Sequence, residues 1–173
     1  VTKRRFWERR DSWIIVRFLQ EAYDRCMERS SSDSIYWITK GVLESLRYGW
    51  GHRCDKDIGM MVQRIVRSIG NHVPMEPFIV AHLVRVLACG WGHETDATIG
   101  TMFLDLMDVL DRKRSDWTKI PIASWLVRGI TTGGGIEAFR PQIELEMDIM
   151  DFSQLISMVR NALRQRLQRS SSE

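Results

Sequence analysis

The chain is predicted to be all-α, with about seven helices arranged as repeated antiparallel pairs in one solenoid-like or bundled domain. Three observations carry that expectation. The tetrapeptide Gly49-Trp50-Gly51-His52 returns as Gly90-Trp91-Gly92-His93, 41 residues later. The offset persists around it, pairing Leu46 with Leu87, Asp55 with Asp96, Ile58-Gly59 with Ile99-Gly100 and Met61 with Met102. Apolar residues recur at helical spacing almost throughout, and no segment reads as a strand or hairpin. A period of this length means one supersecondary unit used at least twice, as in stacked helical architectures. The units span about residues 42–82 and 83–125 of a single domain, 1–173, that opens with a basic segment, 1–10.

The first helix is expected from about Asp11 to Glu28, with Ile15, Phe18, Leu19, Ala22, Tyr23 and Cys26 inward. Ser30-Ser31-Ser32-Asp33 ends it and supplies caps for the next. The second, about residues 34–48, buries Ile35, Ile38, Val42 and Leu46 and stops at Gly49. The third starts at Asp55 and presents Ile58, Met61, Val62, Ile65, Val66 and Ile69 on one face, a single buried stripe. Gly70 stops it. Pro77 suits a first helical position and opens a fourth helix through Ile79, Leu83, Val86 and Leu87 to Gly90. The fifth begins at Asp96 and buries Ile99, Met102, Phe103, Leu106, Met107 and Leu110, each 41 residues beyond its counterpart in the third.

A sixth helix is predicted from Pro121 to Ile130. Its Leu126-Val127-Arg128, followed by Gly133-Gly134-Gly135, reads as a decayed third copy of Leu83-Val84-Arg85 and Gly90-Trp91-Gly92. An acidic segment from Glu137 to Asp151 is broken by Pro141. The last helix is expected at about 152–169, with Leu155, Ile156, Val159, Leu163 and Leu167 inward and a frayed serine end.

The repeated tetrapeptide reads as a helix-to-helix corner. Its first glycine would take the left-handed conformation that closes a helix, and Trp50 and Trp91 would each cover a helix end. His52 and His93 lie near the negative end of the preceding helix dipole, and Asp55 and Asp96 would cap the next helix. Gly59 and Gly100 imply close approach between neighbours. The rival is a binding site at Trp50, His52, Trp91 and His93, either a small-molecule pocket or a metal site with Cys54 as an added donor. Zinc wants three or four converging ligands, and the second copy has Thr95 where the first has Cys54, so the structural corner is the favoured reading and neither metal nor cofactor is expected.

The chain has no Gly-x-Ser-x-Gly elbow, no HExxH, no phosphate loop and no dinucleotide fingerprint, and a non-enzymatic role is expected. At 173 residues it can bury a core without staples. Its 44% hydrophobic and 27% charged residues exclude wholesale disorder. Cys26, Cys54 and Cys89 form no CxxC pair, which suits a reducing, intracellular compartment. No apolar run is long enough to span a bilayer and no signal-peptide pattern opens the chain; Val1 in place of Met suggests a piece of a longer polypeptide.

The net charge of +3 is mildly basic, short of the excess a committed nucleic-acid binder carries. The densest basic-aromatic stretch is Lys3, Arg4, Arg5, Arg9 and Arg10 around Phe6 and Trp7, and Arg160, Arg164, Arg166 and Arg169 line the last helix. Such residues can grip phosphates and stack bases. Nearby Glu8, Asp11, Glu21 and Asp24 dilute that field, and docking of the N-terminal segment through Phe6 and Trp7 is the simpler reading.

Trp125-Leu126-Val127-Arg128 leading to Gly133-Gly134-Gly135-Ile136-Glu137-Ala138-Phe139 resembles the second homology motif of the B-cell lymphoma apoptosis-regulator family. Gly90-Trp91-Gly92-His93 is similar to its first, Asn-Trp-Gly-Arg. The resemblance covers about a third of the chain and implies a helical bundle whose groove binds an amphipathic death-motif helix. Gly90 stands for Asn, His93 for Arg and Ile136 for Trp, and that family has no internal duplication of this kind, so the likeness is carried as an alternative.

The expected function is a protein-interaction module that presents a helical groove to a protein or peptide segment, with homo-oligomerisation as a further option. The alternatives are a nucleic-acid-associated helical-repeat protein using its basic ends and the apoptosis-regulator-like bundle.

Overall fold

The computed structural model describes Trp7 and residues 12–29, 31–69, 71, 73, 77–93, 96–112, 152–170 and 172. Six helices lie within them: α1 (Ser12–Arg29), α2 (Ser32–Leu46), α3 (Asp55–Ser68), α4 (Pro77–Gly90), α5 (Asp96–Arg112) and α6 (Phe152–Ser170). The described residues form no strand, although Ile69 and Val73 make an isolated bridge at the α3–α4 turn. The helix expected at 121–130 and the acidic segment at 137–151 fall outside the described residues.

Local chemistry sets the boundaries. Ser31 holds an extended backbone and its Oγ accepts from the Ser34 N–H, capping α2. The far end of α2 tightens into i→i+3 bonds, Tyr48 N–H to the Ser45 carbonyl and Gly49 N–H to the Leu46 carbonyl, which use up otherwise orphaned carbonyls. Asp55 and Asp57 in the first turn of α3 favour its positive dipole end.

One continuous hydrophobic cluster runs from Trp7 to Leu163. The full faces expected for α3 and α5 are buried: Ile58, Met61, Val62, Ile65, Val66 and Ile69, and Ile99, Met102, Phe103, Leu106, Met107 and Leu110. Each such side chain contributes roughly 1.5–3 kcal/mol, far more than an exposed ion pair such as Arg17–Glu21, worth at most about 0.5 kcal/mol. Packing of these faces therefore decides the arrangement.

Helices two apart in the chain lie side by side: α1 on α3, α2 on α4 and α3 on α5. Ser12 at the start of α1 meets His52 and Cys54 just before α3, while Asp24 further along pairs with Arg64, so α1 and α3 run in the same direction. Trp50, just past α2, reaches Val86 and Gly90 at the end of α4, and Lys40 and Glu44 face His82 in its middle, so α2 and α4 also run in the same direction. α6 closes the row against α5 in the opposite sense. Leu167 packs on Gly100, and Arg160 pairs with Asp108 at 2.8 Å and with Asp111 at 3.8 Å. A Cβ on Gly100 would come within 2.6 Å of Leu167 Cδ2, so this glycine makes room for a leucine side chain and not for the neighbouring backbone that its helix-weakening cost implied.

Among the described side chains one inward assignment fails; those of Leu155, Ile156 and Val159 on α6 lie outside the description. Phe18 is 68% exposed, and α1 buries Ser12, Val16, Tyr23 and Cys26 instead. Among the described helices α1 has α2 and α3 as neighbours, and its apolar stripe turns toward them, leaving Phe18 beside Trp13 and Ile14 in solvent. No helix among the described residues is long and apolar enough to cross a membrane.

Candidate interaction face

The two corners come first, because the sequence singled them out. Trp50 and Trp91 are buried, with 6% and 7% exposed. The Trp50 indole does not fold back over α2. Its Nε1 donates to the Val86 carbonyl at 2.9 Å and its ring lies against Gly90, so it covers the end of the neighbouring helix α4. Trp91 stacks on Phe103 of α5 with ring centroids 5.8 Å apart. Both indoles are committed to the core.

The first glycine of each corner is not left-handed. Positive φ belongs to the second, Gly51 at 85° and Gly92 at 81°, and to Arg53 at 69°. Gly49 and Gly90 are there for space. A Cβ on Gly49 would meet Ile58 Cδ1 at 2.6 Å and the Trp7 ring at 2.9 Å, and one on Gly90 would meet Ile99 Cδ1 at 2.6 Å and the Trp50 ring at 3.0 Å. Trp7 thus does to Gly49 what Trp50 does to Gly90. Trp7, Trp50 and Trp91 each precede a helix start (Ser12, Asp55, Asp96) by five residues. That spacing could have flagged Trp7, but Phe6 and Glu8 stand where the glycines of the tetrapeptide would be.

Asp55 does not cap α3. Its Oδ1 accepts from the Gly51 N–H at 2.7 Å, fastening the turn, while the cap position is Cys54, whose side chain makes no cap bond. The His52 carbonyl accepts from Ser12 Oγ at 2.8 Å. His93, exposed, sits over Gly51, where a Cβ would lie 3.1 Å from Cε1. Cys26 and Cys54 are buried thiols and Cys89 an exposed one. Among the described residues, no three His, Cys, Asp or Glu side chains converge as a metal site requires. Arg4, Arg5, Arg9 and Arg10 lie outside the described residues, as does the 125–139 stretch that resembles the apoptosis-regulator motif. Arg67 of α3 and Asp105, Asp108, Asp111 and Arg112 of α5 line an open cavity, and Arg160 of α6 pairs with two of its carboxylates, Asp108 and Asp111.

Among the described residues, the outer side of α2 and α4 also carries exposed aromatic rings. Trp37 on α2 is 64% exposed and Phe78 on α4 is 62% exposed, and they stand 41 residues apart on helices that run side by side. The offset holds along both outer stripes: Trp37, Gly41 and Glu44 on α2, and the half-buried Tyr48 just past it, correspond to Phe78, His82, Arg85 and Cys89 on α4. These positions fall opposite the buried stripes of Val42, Leu43 and Leu46 and of Ile79, Leu83, Val86 and Leu87. The 41-residue offset is the signal in the sequence that relates them.

Two details mark the face. Gly41 sits mid-helix and exposed, with no atom beyond its helix within 4 Å of where a Cβ would stand. A glycine there costs about 0.5–1 kcal/mol relative to alanine, and no packing among the described residues requires it. The face is also basic. Lys40 lies over the Trp37 ring at 5.1 Å, Arg47 over the Tyr48 ring at 5.1 Å, and both, with Arg85, face His82. Partial burial, then Arg85, Lys40 and Arg47, hold the His82 imidazole below its ordinary pKa, opposed by Glu44.

No family model, curated protein or solved structure matches the chain.

Proposed function

We propose that this chain is a non-enzymatic helical-repeat interaction module that binds a protein segment across the outer face of α2 and α4. The supporting observation is the exposed pair Trp37 and Phe78, at one register of two helices that lie side by side. Large exposed aromatics on adjoining elements are costly to leave in water, and aromatic anchors are what partner segments bury. Gly41, one turn beyond Trp37, carries no side chain and leaves room on this face for a bound segment. A segment laid there gains affinity from apolar anchors and specificity from a polar rim.

A photo-crosslinking side chain placed at Phe78 or Trp37 and expressed in the native cell tests this reading. A discrete adduct is expected at these positions and not at exposed sites elsewhere, such as Arg25 or Arg112. Labelling that is equal on and off the face, or absent from both, overturns it.

A further inference from the structure

We propose that the segment bound across α2 and α4 is acidic and amphipathic, with apolar side chains against Trp37 and Phe78, carboxylates at Lys40, Arg47 and Arg85, and its backbone crossing α2 over Gly41. This rests on the interaction-module reading and assigns the partner its chemistry.

Lys40 and Arg47 lie over the Trp37 and Tyr48 rings of this face, and their charges, with those of Arg85 and of one carboxylate, Glu44, act on His82 in the middle of α4. An incoming basic segment would meet like charge, whereas an acidic one would complement the field and be steered by it. Carboxylates beside apolar anchors suit a surface where cations and aromatic rings alternate, since charge-assisted bonds and ring burial then form together.

The same residues argue against single-stranded nucleic acid. Single strands are held by stacking successive bases on a run of aromatic rings, and this face offers two strongly exposed ones, Trp37 and Phe78. Three cations are also few for tracking a phosphate backbone.

Gly41 is the independent observation. It lies on the solvent stripe one helical turn beyond Trp37, and a side chain there would have open space. Glycine at an exposed mid-helix position, with no turn or packing to explain it, suits a place where another backbone comes close.

The test is selection of binders to the whole chain from a displayed random-peptide library. The expected consensus is rich in Asp and Glu, with aromatic or aliphatic residues at i, i+3 and i+4. Arg85→Glu should weaken selected peptides about tenfold or more, and exchanging their acidic residues for Lys should restore binding to that variant. Gly41→Leu should abolish binding while the fold persists, because nothing lies close enough to clash. Gly41→Leu, itself measured by thermal melting, should raise Tm by about 2–4 °C, because leucine forms helix better than glycine, and so exclude misfolding as the cause.

Binders lost in Trp37→Ala/Phe78→Ala but neutral in composition and indifferent to Arg85→Glu overturn the acidic chemistry and leave the interaction module standing. Binders indifferent to Trp37→Ala/Phe78→Ala, or no binders at all, overturn the module as well. Displacement of the peptides by oligouridylate, with the same dependence on Arg85, overturns the proposal in favour of nucleic acid.

Discussion

The Trp50 indole Nε1 hydrogen-bonds the Val86 carbonyl at 2.9 Å, which ties the corner after α2 to the last turn of α4. The bond joins two elements that are not consecutive in the chain and adds a directional contact to a helix pair whose arrangement the packed faces set.

Trp50→Phe should therefore destabilise by about 1 kcal/mol for the lost hydrogen bond, with a further increment for the smaller ring. Trp50→Ala should cost about 3–5 kcal/mol, because the cavity opens in the core. Urea unfolding measures both, and a Trp50→Ala variant as stable as the parent would refute the assigned role.

Gly90→Ala places a Cβ 2.6 Å from Ile99 Cδ1 and 3.0 Å from the Trp50 ring. Overpacking of this kind costs about 1–3 kcal/mol, and Ile99→Val alone costs about 0.5–1.5 kcal/mol. The double variant should be less destabilised than the two added together, since removing Cδ1 makes room for the new methyl group. Strict additivity would mean that the glycine is not there for space.

Tyr23 titrates above its ordinary pKa of 10.0, chiefly because burial penalises the phenolate, with the Ser68 hydroxyl and Arg64 opposing. A raised folded value means that this stability is intact below pH 10.0 and is lost as pH climbs through the folded value. Denaturant unfolding should show a decline in stability above that point, and Tyr23→Phe should flatten it. An unchanged alkaline slope in the variant would place the responsible group elsewhere.

His82 behaves oppositely. Its folded pKa lies below the ordinary 6.5, through burial first and then Arg85, Lys40 and Arg47, with Glu44 opposing. The stability it supports is present above pH 6.5 and is lost as pH falls through the folded value. His82→Gln should remove that part of the acid slope. An acidic segment bound on the face should raise the imidazole's pKa, so binding should take up protons, seen by calorimetry as a dependence of the heat on the buffer's ionisation enthalpy.

The helices were legible because their signals are local. Apolar spacing predicted the buried faces of α3 and α5 residue for residue. Ser30 to Asp33, Pro77 and Gly90 marked boundaries that the structure places within a residue or two. The candidate face was less legible. Its anchors Trp37 and Phe78 were present in the 41-residue offset, but they lie off the core stripes, where a search for packing does not look.

By itself, then, the sequence determined the all-α class, the order of the helices and which side of each is apolar, because backbone propensity and side-chain spacing act within a few residues. Tertiary structure decided what each apolar side meets. Phe18 belongs to the predicted stripe of α1 but remains in solvent, where α1 turns its buried side to α2 and α3. Gly49 and Gly90 read as left-handed closures but serve as clearances, because the Trp7 and Trp50 rings arrive from elsewhere in the chain. Trp50 turns to α4 rather than α2 because the free indole N–H must find an acceptor when buried, and Val86 supplies it. Contacts of this kind depend on which helix lies alongside, and that choice is made by the fit of whole faces, which no short stretch of sequence contains.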